Sequence, residues 1–140
     1  MARILCIDYG KRRCGIAVTD ELRISATPLT TVGAGELLKF VLDYVGRNRV
    51  DLVLIGKPLT LRGEPSESWQ YIEPFSRALR KRLPEGIDLR FYDERFTSAL
   101  AHQAMIDGGV RKKGRQDKPT VDRTAATIIL TDYLQSIYNT

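Results

Sequence analysis

Three places in the chain carry carboxylates in settings that suit metal chemistry. Asp8 ends the apolar run Ile4-Leu5-Cys6-Ile7 and precedes Tyr9-Gly10. Such a run reads as a buried strand. An ionised Asp at its end is costly unless a metal ion, a basic partner or backbone donors compensate it. Gly10 lets the backbone come close to whatever Asp8 holds. Asp93-Glu94 ends a second strand pattern, Ile87 to Tyr92. Asp122 precedes Ala125 and Ala126 by three and four residues near the start of a final helix. It therefore shares their face, and two small residues let that helix lie close to a sheet.

In an open α/β sheet, ligands gather at the carboxyl ends of parallel strands. If the strands ending at Asp8 and at Asp93-Glu94 are parallel neighbours, their carboxylates meet at one edge, and Asp122 points toward it. Three converging carboxylates repel one another, and a divalent cation resolves that repulsion. Mg²⁺ accepts few carboxylates and keeps positions open for phosphate oxygens. Two ions about 4 Å apart activate a water and stabilise a leaving oxygen. Each residue alone has an ordinary reading. Asp122 suits a helix N-terminus, and Glu94 suits an ion pair with Arg95. Whether Asp93 or Glu94 faces the site depends on strand parity, which the sequence leaves open.

The elements that must position these groups follow from periodicity. Strands are expected at Arg3 to Tyr9 and Gly15 to Thr19, joined by the basic turn Lys11-Arg12-Arg13. A third is expected near Ile24 and again from Pro28 to Val32, with Pro28 marking an interruption or edge. Tight links make these three an antiparallel meander. Leu37, Leu38, Val41 and Val45 mark one helix face, and Val50 to Ile55 is a central strand. Trp69 to Leu83 reads as a helix kinked at Pro74. Thr97 or Ser98 caps a helix to about Asp107. The last helix runs from Val121 to about Tyr138, apolar at Ala125, Ala126, Ile129, Tyr133 and Ile137. The fold class is α/β, with a mixed five-stranded sheet flanked by helices: an antiparallel start, then parallel strands.

At 140 residues, with 43% apolar and 28% charged residues, the chain fits one soluble domain, 1–140. No apolar stretch approaches the ~20 residues of a membrane span. The N-terminus enters a strand pattern directly, so no signal peptide is read and a cytoplasmic location is expected. A net charge of +5 suits a polyanionic partner. Cys6 and Cys14 lack zinc-type spacing and read as buried thiols. His102 reads as a helix-surface residue and Trp69 as core.

Several stretches resemble a known family. Ile7-Asp8-Tyr9-Gly10 with Lys11 to Asp20 is similar to the opening motif of the YqgF/RuvX family, described as Holliday junction resolvase-like proteins and as pre-16S ribosomal RNA nucleases. Ile55-Gly56-Lys57-Pro58-Leu59 with Gly63 resembles its second motif, and Asp93 to Ser98 its third. Lys118 to Asp122, then Ala125-Ala126 and Ile128-Ile129-Leu130, resemble its last. Cys14 and Lys57 depart from the usual apolar residues there. The resemblance implies an RNase H-like fold and a nuclease using Mg²⁺ or Mn²⁺. It implies Asp8, Glu94 and Asp122 as the catalytic, metal-binding residues. It favours precursor ribosomal RNA as substrate, with branched DNA second.

Basic residues cluster beside these positions. Arg111, Lys112, Lys113, Arg115 and Lys118 lie in a Val110–Thr120 loop just before Asp122 and are expected to grip phosphates. Lys11 and Arg12 follow Asp8, and Arg95 follows Glu94; they add candidate phosphate contacts. Two rivals stand beside the nuclease. An actin-like phosphotransferase also opens with Asp-x-Gly but repeats that lobe, which this chain does not. A non-catalytic nucleic-acid or ribosome-binding module fits the basic loop but not the acidic trio. A monomer is expected, a two-fold dimer being what junction resolution would require.

Overall fold

The computed structural model describes residues 2–57, 67–93 and 118–138, with the side chains of the last segment described from residue 125 onward. Strands β1 (Arg3–Asp8), β2 (Arg13–Thr19) and β3 (Ala26–Gly33) form the antiparallel meander. Helix α1 (Leu37–Arg47) leads to β4 (Val50–Lys57), which pairs in parallel with β1. Helix α2 (Trp69–Arg82) leads to β5 (Asp88–Asp93), parallel to β4. Helix α3 (Lys118–Tyr138) closes the described chain. The sheet order is β3-β2-β1-β4-β5.

This is the expected mixed five-stranded sheet. Of the two conditions set for the acid-ended strands one is met: β1 and β5 are parallel, but β4 lies between them. At about 4.8 Å per strand, the ends of β1 and β5 stand about 10 Å apart.

Helices cover both faces, which is why β1 reads as an unbroken apolar run. Leu5 and Ile7 join the core under α1 and α2, with Val53, Ile55, Val41 and Ile72. Ile4 and Cys6 join the core under α3, with Leu52, Leu54, Ala126 and Ile129. Each fully buried aliphatic side chain contributes roughly 1.5–3 kcal/mol relative to exposure. Cys6 and Cys14 are buried free thiols, as expected.

Two element boundaries differ from the periodicity reading, while the edge position read for Pro28 holds. Ile24 is not in a strand: it is 72% exposed, in the turn before β3. That turn is held by Asp20, whose Oδ1 accepts the amide hydrogens of Ile24 (2.8 Å) and Ser25 (2.9 Å). Pro28 lies inside edge strand β3, opposite Ala17, next to a register shift. Lys118 to Thr120 belong to α3 rather than to a loop. The buried stripe of α3 also runs through Leu130 and Leu134, while Ile137 is 37% exposed. The last turn passes beyond the sheet, where Tyr138 donates a hydrogen bond to the carbonyl of Arg23. The helix predicted over 97–107, with His102, lies outside the described residues.

Candidate functional site

β1 delivers Asp8 to the carboxyl edge of the parallel strands, where it is half-buried. Side chains alternate along a strand, so Asp8 shares the face of Ile4 and Cys6, the one covered by α3. Its lateral neighbours are the informative part. On one side it pairs with Gly15 of β2. On the other, one step beyond the Ile7–Ile55 pair, it is level with Gly56 of β4, which in turn pairs with Tyr92. Both lateral partners are therefore glycines, which add no side chain of their own at this position. Neither Gly15 nor Gly56 stands out in the sequence, since both become neighbours of Asp8 only through strand pairing. The one local signal was a glycine near the end of an apolar strand.

Strand parity separates Asp93 from Asp8. Leu89 and Phe91 pack with the α1/α2 core, whereas Tyr92 packs with the α3 core. Asp93 therefore has the parity of the α1/α2 face, opposite to that of Asp8. It pairs in register with Lys57, on the same face. Lys57 also places its Nζ 4.9 Å from the centroid of the Trp69 ring. Trp69 packs edge-on against Phe91, as expected of a core residue.

α3 runs with its C-terminal end at the β2–β3 turn, as the bond from Tyr138 to Arg23 shows. Its N-terminal end therefore lies toward the carboxyl edge that holds Asp8. Ala125 and Ala126 are buried, so the helix does lie close to the sheet. Asp122 belongs to α3 one turn before Ala126. The helix is tied to β5 by Tyr92, whose hydroxyl donates to Asp132 Oδ2 at 2.5 Å. Burial and that carboxylate push the Tyr92 phenol up to about 12, so it remains a neutral donor.

Gly10 has an internal reason for being glycine. A Cβ there would meet the Arg13 carbonyl oxygen at 2.2 Å, so the close approach closes the β1–β2 turn. The Tyr9 ring anchors the same turn on α2, 5.5 Å from the Phe75 ring. Burial raises the Tyr9 phenol, and Cys14 nearby adds to the effect. Lys11 and Arg12 are exposed at this turn.

Among the described residues, no three metal-ligating side chains form a cluster. Glu94, Arg95, Arg111, Lys112, Lys113 and Arg115 lie outside the described residues. So do the side chains of Lys118 and Asp122.

A family model described as RuvX, Holliday junction resolvase, matches residues 2–136. The chain belongs to the RuvX family. A relative from Phocaeicola vulgatus is 53% identical over 97% of each chain. One from Bacteroides thetaiotaomicron is 50% identical over 97% of this chain and 98% of its own. Both bear the name "Putative pre-16S rRNA nuclease". Among solved structures, Thermus thermophilus RuvC in complex with a Holliday junction substrate is similar, with TM-score 0.58 and 19% identity. It covers 99% of this chain and 96% of that one. That likeness concerns the fold, which is RNase H-like in both.

Proposed function

We propose that this RuvX-family chain is a divalent-metal-dependent nuclease that hydrolyses phosphodiester bonds during 5′-end maturation of precursor 16S ribosomal RNA. The observation that carries the chemistry is the half-buried Asp8 between Gly15 and Gly56, at the sheet edge toward which α3 presents its N-terminal end. The names of relatives about half identical in sequence support the RNA substrate. Such a substrate places the work in the cytoplasm. No helix among the described residues is long and apolar enough to cross a membrane.

We read Asp8, Glu94 and Asp122 as the metal ligands. The hard oxygen donors suit Mg²⁺ or Mn²⁺, one ion or two. Asp93 is set aside because its parity belongs to the other face. A bound divalent ion supplies Lewis-acid stabilisation and a more acidic water. The chain's own part is to fix Asp8 through a strand buried on both faces, so that little reorganises when the phosphate arrives. Lys11, Arg12, Arg95 and the basic stretch from Arg111 to Lys118 neutralise phosphates beside the cut, with Arg111, Lys112, Lys113 and Arg115 supplying most of that charge. The protein acts as a monomer in this reading.

The family model's own description favours a second substrate, branched DNA. One experiment compares them. Purified protein is incubated with precursor 16S RNA ends and with four-way DNA junctions, with Mg²⁺, with Mn²⁺ and with chelator. Metal-dependent cleavage of the RNA alone is the expected result. Cleavage of the junction alone moves the assignment to DNA, and cleavage of neither removes the nuclease reading.

A further inference from the structure

A second feature lies across the same sheet edge, on the α1/α2 side. Tyr71, in the first turn of α2, is 37% exposed, and Lys11 Nζ lies 5.7 Å from its ring centroid. Lys11 belongs to the turn that directly follows Asp8. Further along α2, Pro74, Arg77, Ala78, Lys81 and Arg82 line an open groove of about 370 Å³. Positions 71, 74, 78 and 81 recur at helical spacing, so ring and groove share one stripe. The distance from Tyr71 to Lys81 along the axis is about 15 Å, at 1.5 Å per residue.

The charge on this stripe is not spent inside the protein. Among the described residues Arg77 has Glu73 alone, at 3.9 Å, and both side chains are more than half exposed. Such a pair is worth little. Arg80 behaves differently: it turns to the sheet, lies over Phe91 and donates to the Leu89 carbonyl. The groove's own cations face solvent. An exposed ring beside a cation, continued by a cationic groove, has the chemistry of a single-strand platform. Every base offers a face to stack, and successive phosphates find positive charge.

We propose that Tyr71, Lys11 and the α2 groove bind a single-stranded stretch of nucleic acid that continues from the Asp8 edge over the α1/α2 side. The occupant is taken from the nuclease reading, but the test does not depend on cleavage. The full chain is titrated, in chelator, into a short unstructured fluorescent RNA oligonucleotide and into its duplex form. Tyr71→Ala is expected to weaken single-strand binding about tenfold. Duplex binding should stay unchanged, and Tyr71→Phe should bind like wild type because it keeps the ring. Arg77→Ala with Lys81→Ala should lower the slope of log affinity against log salt by about 1.4, two single-strand phosphates. Thermal melts establish that Tyr71→Ala is folded. Undiminished single-strand binding by Tyr71→Ala would overturn the proposal. So would equal losses on single strand and duplex, or an equal loss in Tyr71→Phe. Absence of metal-dependent cleavage by the wild type would sink the nuclease reading while leaving these binding results as they stand.

Discussion

The two ends of the sheet treat their carboxylates in opposite ways. At the end where β1 begins, acidic groups are bound into the fold. Asp20 caps the β2–β3 turn through two amide hydrogens. Asp51 pairs with Arg23, whose Nε also donates to the carbonyl of Ala2 at 2.9 Å. At the end where β1 finishes, Asp8 has a glycine on either side, and α3 runs with its N-terminal end toward this edge. One end uses carboxylates to hold loops in place. The other carries a half-buried carboxylate at the end of a strand buried on both faces, with glycines as its lateral partners.

Changing the charge at each end should break this contrast most sharply. Asp8→Asn is expected to lower metal-dependent cleavage about a thousandfold, from the loss of several kcal/mol of stabilisation at about 1.4 kcal/mol per tenfold. Its Tm should remain near wild type. Single-turnover cleavage beside a thermal melt measures both, and a large fall in Tm would assign Asp8 to the fold instead. Adding a methyl group level with Asp8 is the next test. Gly56→Ala should lower cleavage by up to about a hundredfold through misplaced ligands, with a weaker apparent metal affinity in a Mg²⁺ titration. Unchanged activity would show that the site does not need a glycine there.

Tyr92 stands on the same row but holds structure. Tyr92→Phe should cost about 1–3 kcal/mol in denaturant unfolding, because a bond to a carboxylate is lost. Its effect on cleavage should be smaller than that of Gly56→Ala. With a phenol raised from 10.0 to about 12, the contribution of Tyr92 is full below pH 10 and lost as pH rises toward 12. Ultraviolet titration of wild type should show one late tyrosine that the Phe variant lacks. The smallest effect belongs to Asp20→Ala at the other end. Its carboxyl is held below the ordinary value, first by the Ser25 amide. A slight fall in Tm is therefore expected at neutral pH. It should vanish as acid protonates Asp20 in the wild type, with cleavage unaffected throughout.

Much of this was legible in the chain itself. Apolar runs at Ile4 to Ile7 and Val50 to Ile55 marked the central strands, because strands covered on both faces need no polar alternation. The spacing of Leu37, Val41 and Val45 marked α1, and Ala125-Ala126 announced a helix lying close to the sheet. Asp8 was readable because a charge at the end of a buried strand is costly without a function. These are local signals, carried by neighbours a few residues apart.

Strand order was not local, and it changed the site. Whether the two acid-ended strands were neighbours was left open by the sequence, and β4 separates them. Parity assigned Asp93 to the face of Lys57 because a one-residue step reverses every side chain, and only packing against α3 says which face is which. Gly10, read as an approach to a ligand, also has a reason within the fold, the close approach of its backbone to the Arg13 carbonyl. Gly15 and Gly56 gained their meaning only when pairing set them on either side of Asp8. The sequence by itself determined which elements form and that Asp8 ends one of them, since periodicity and burial cost are properties of short segments. The tertiary structure alone decided what stands next to that carboxylate, because strand pairing joins residues that the chain keeps far apart.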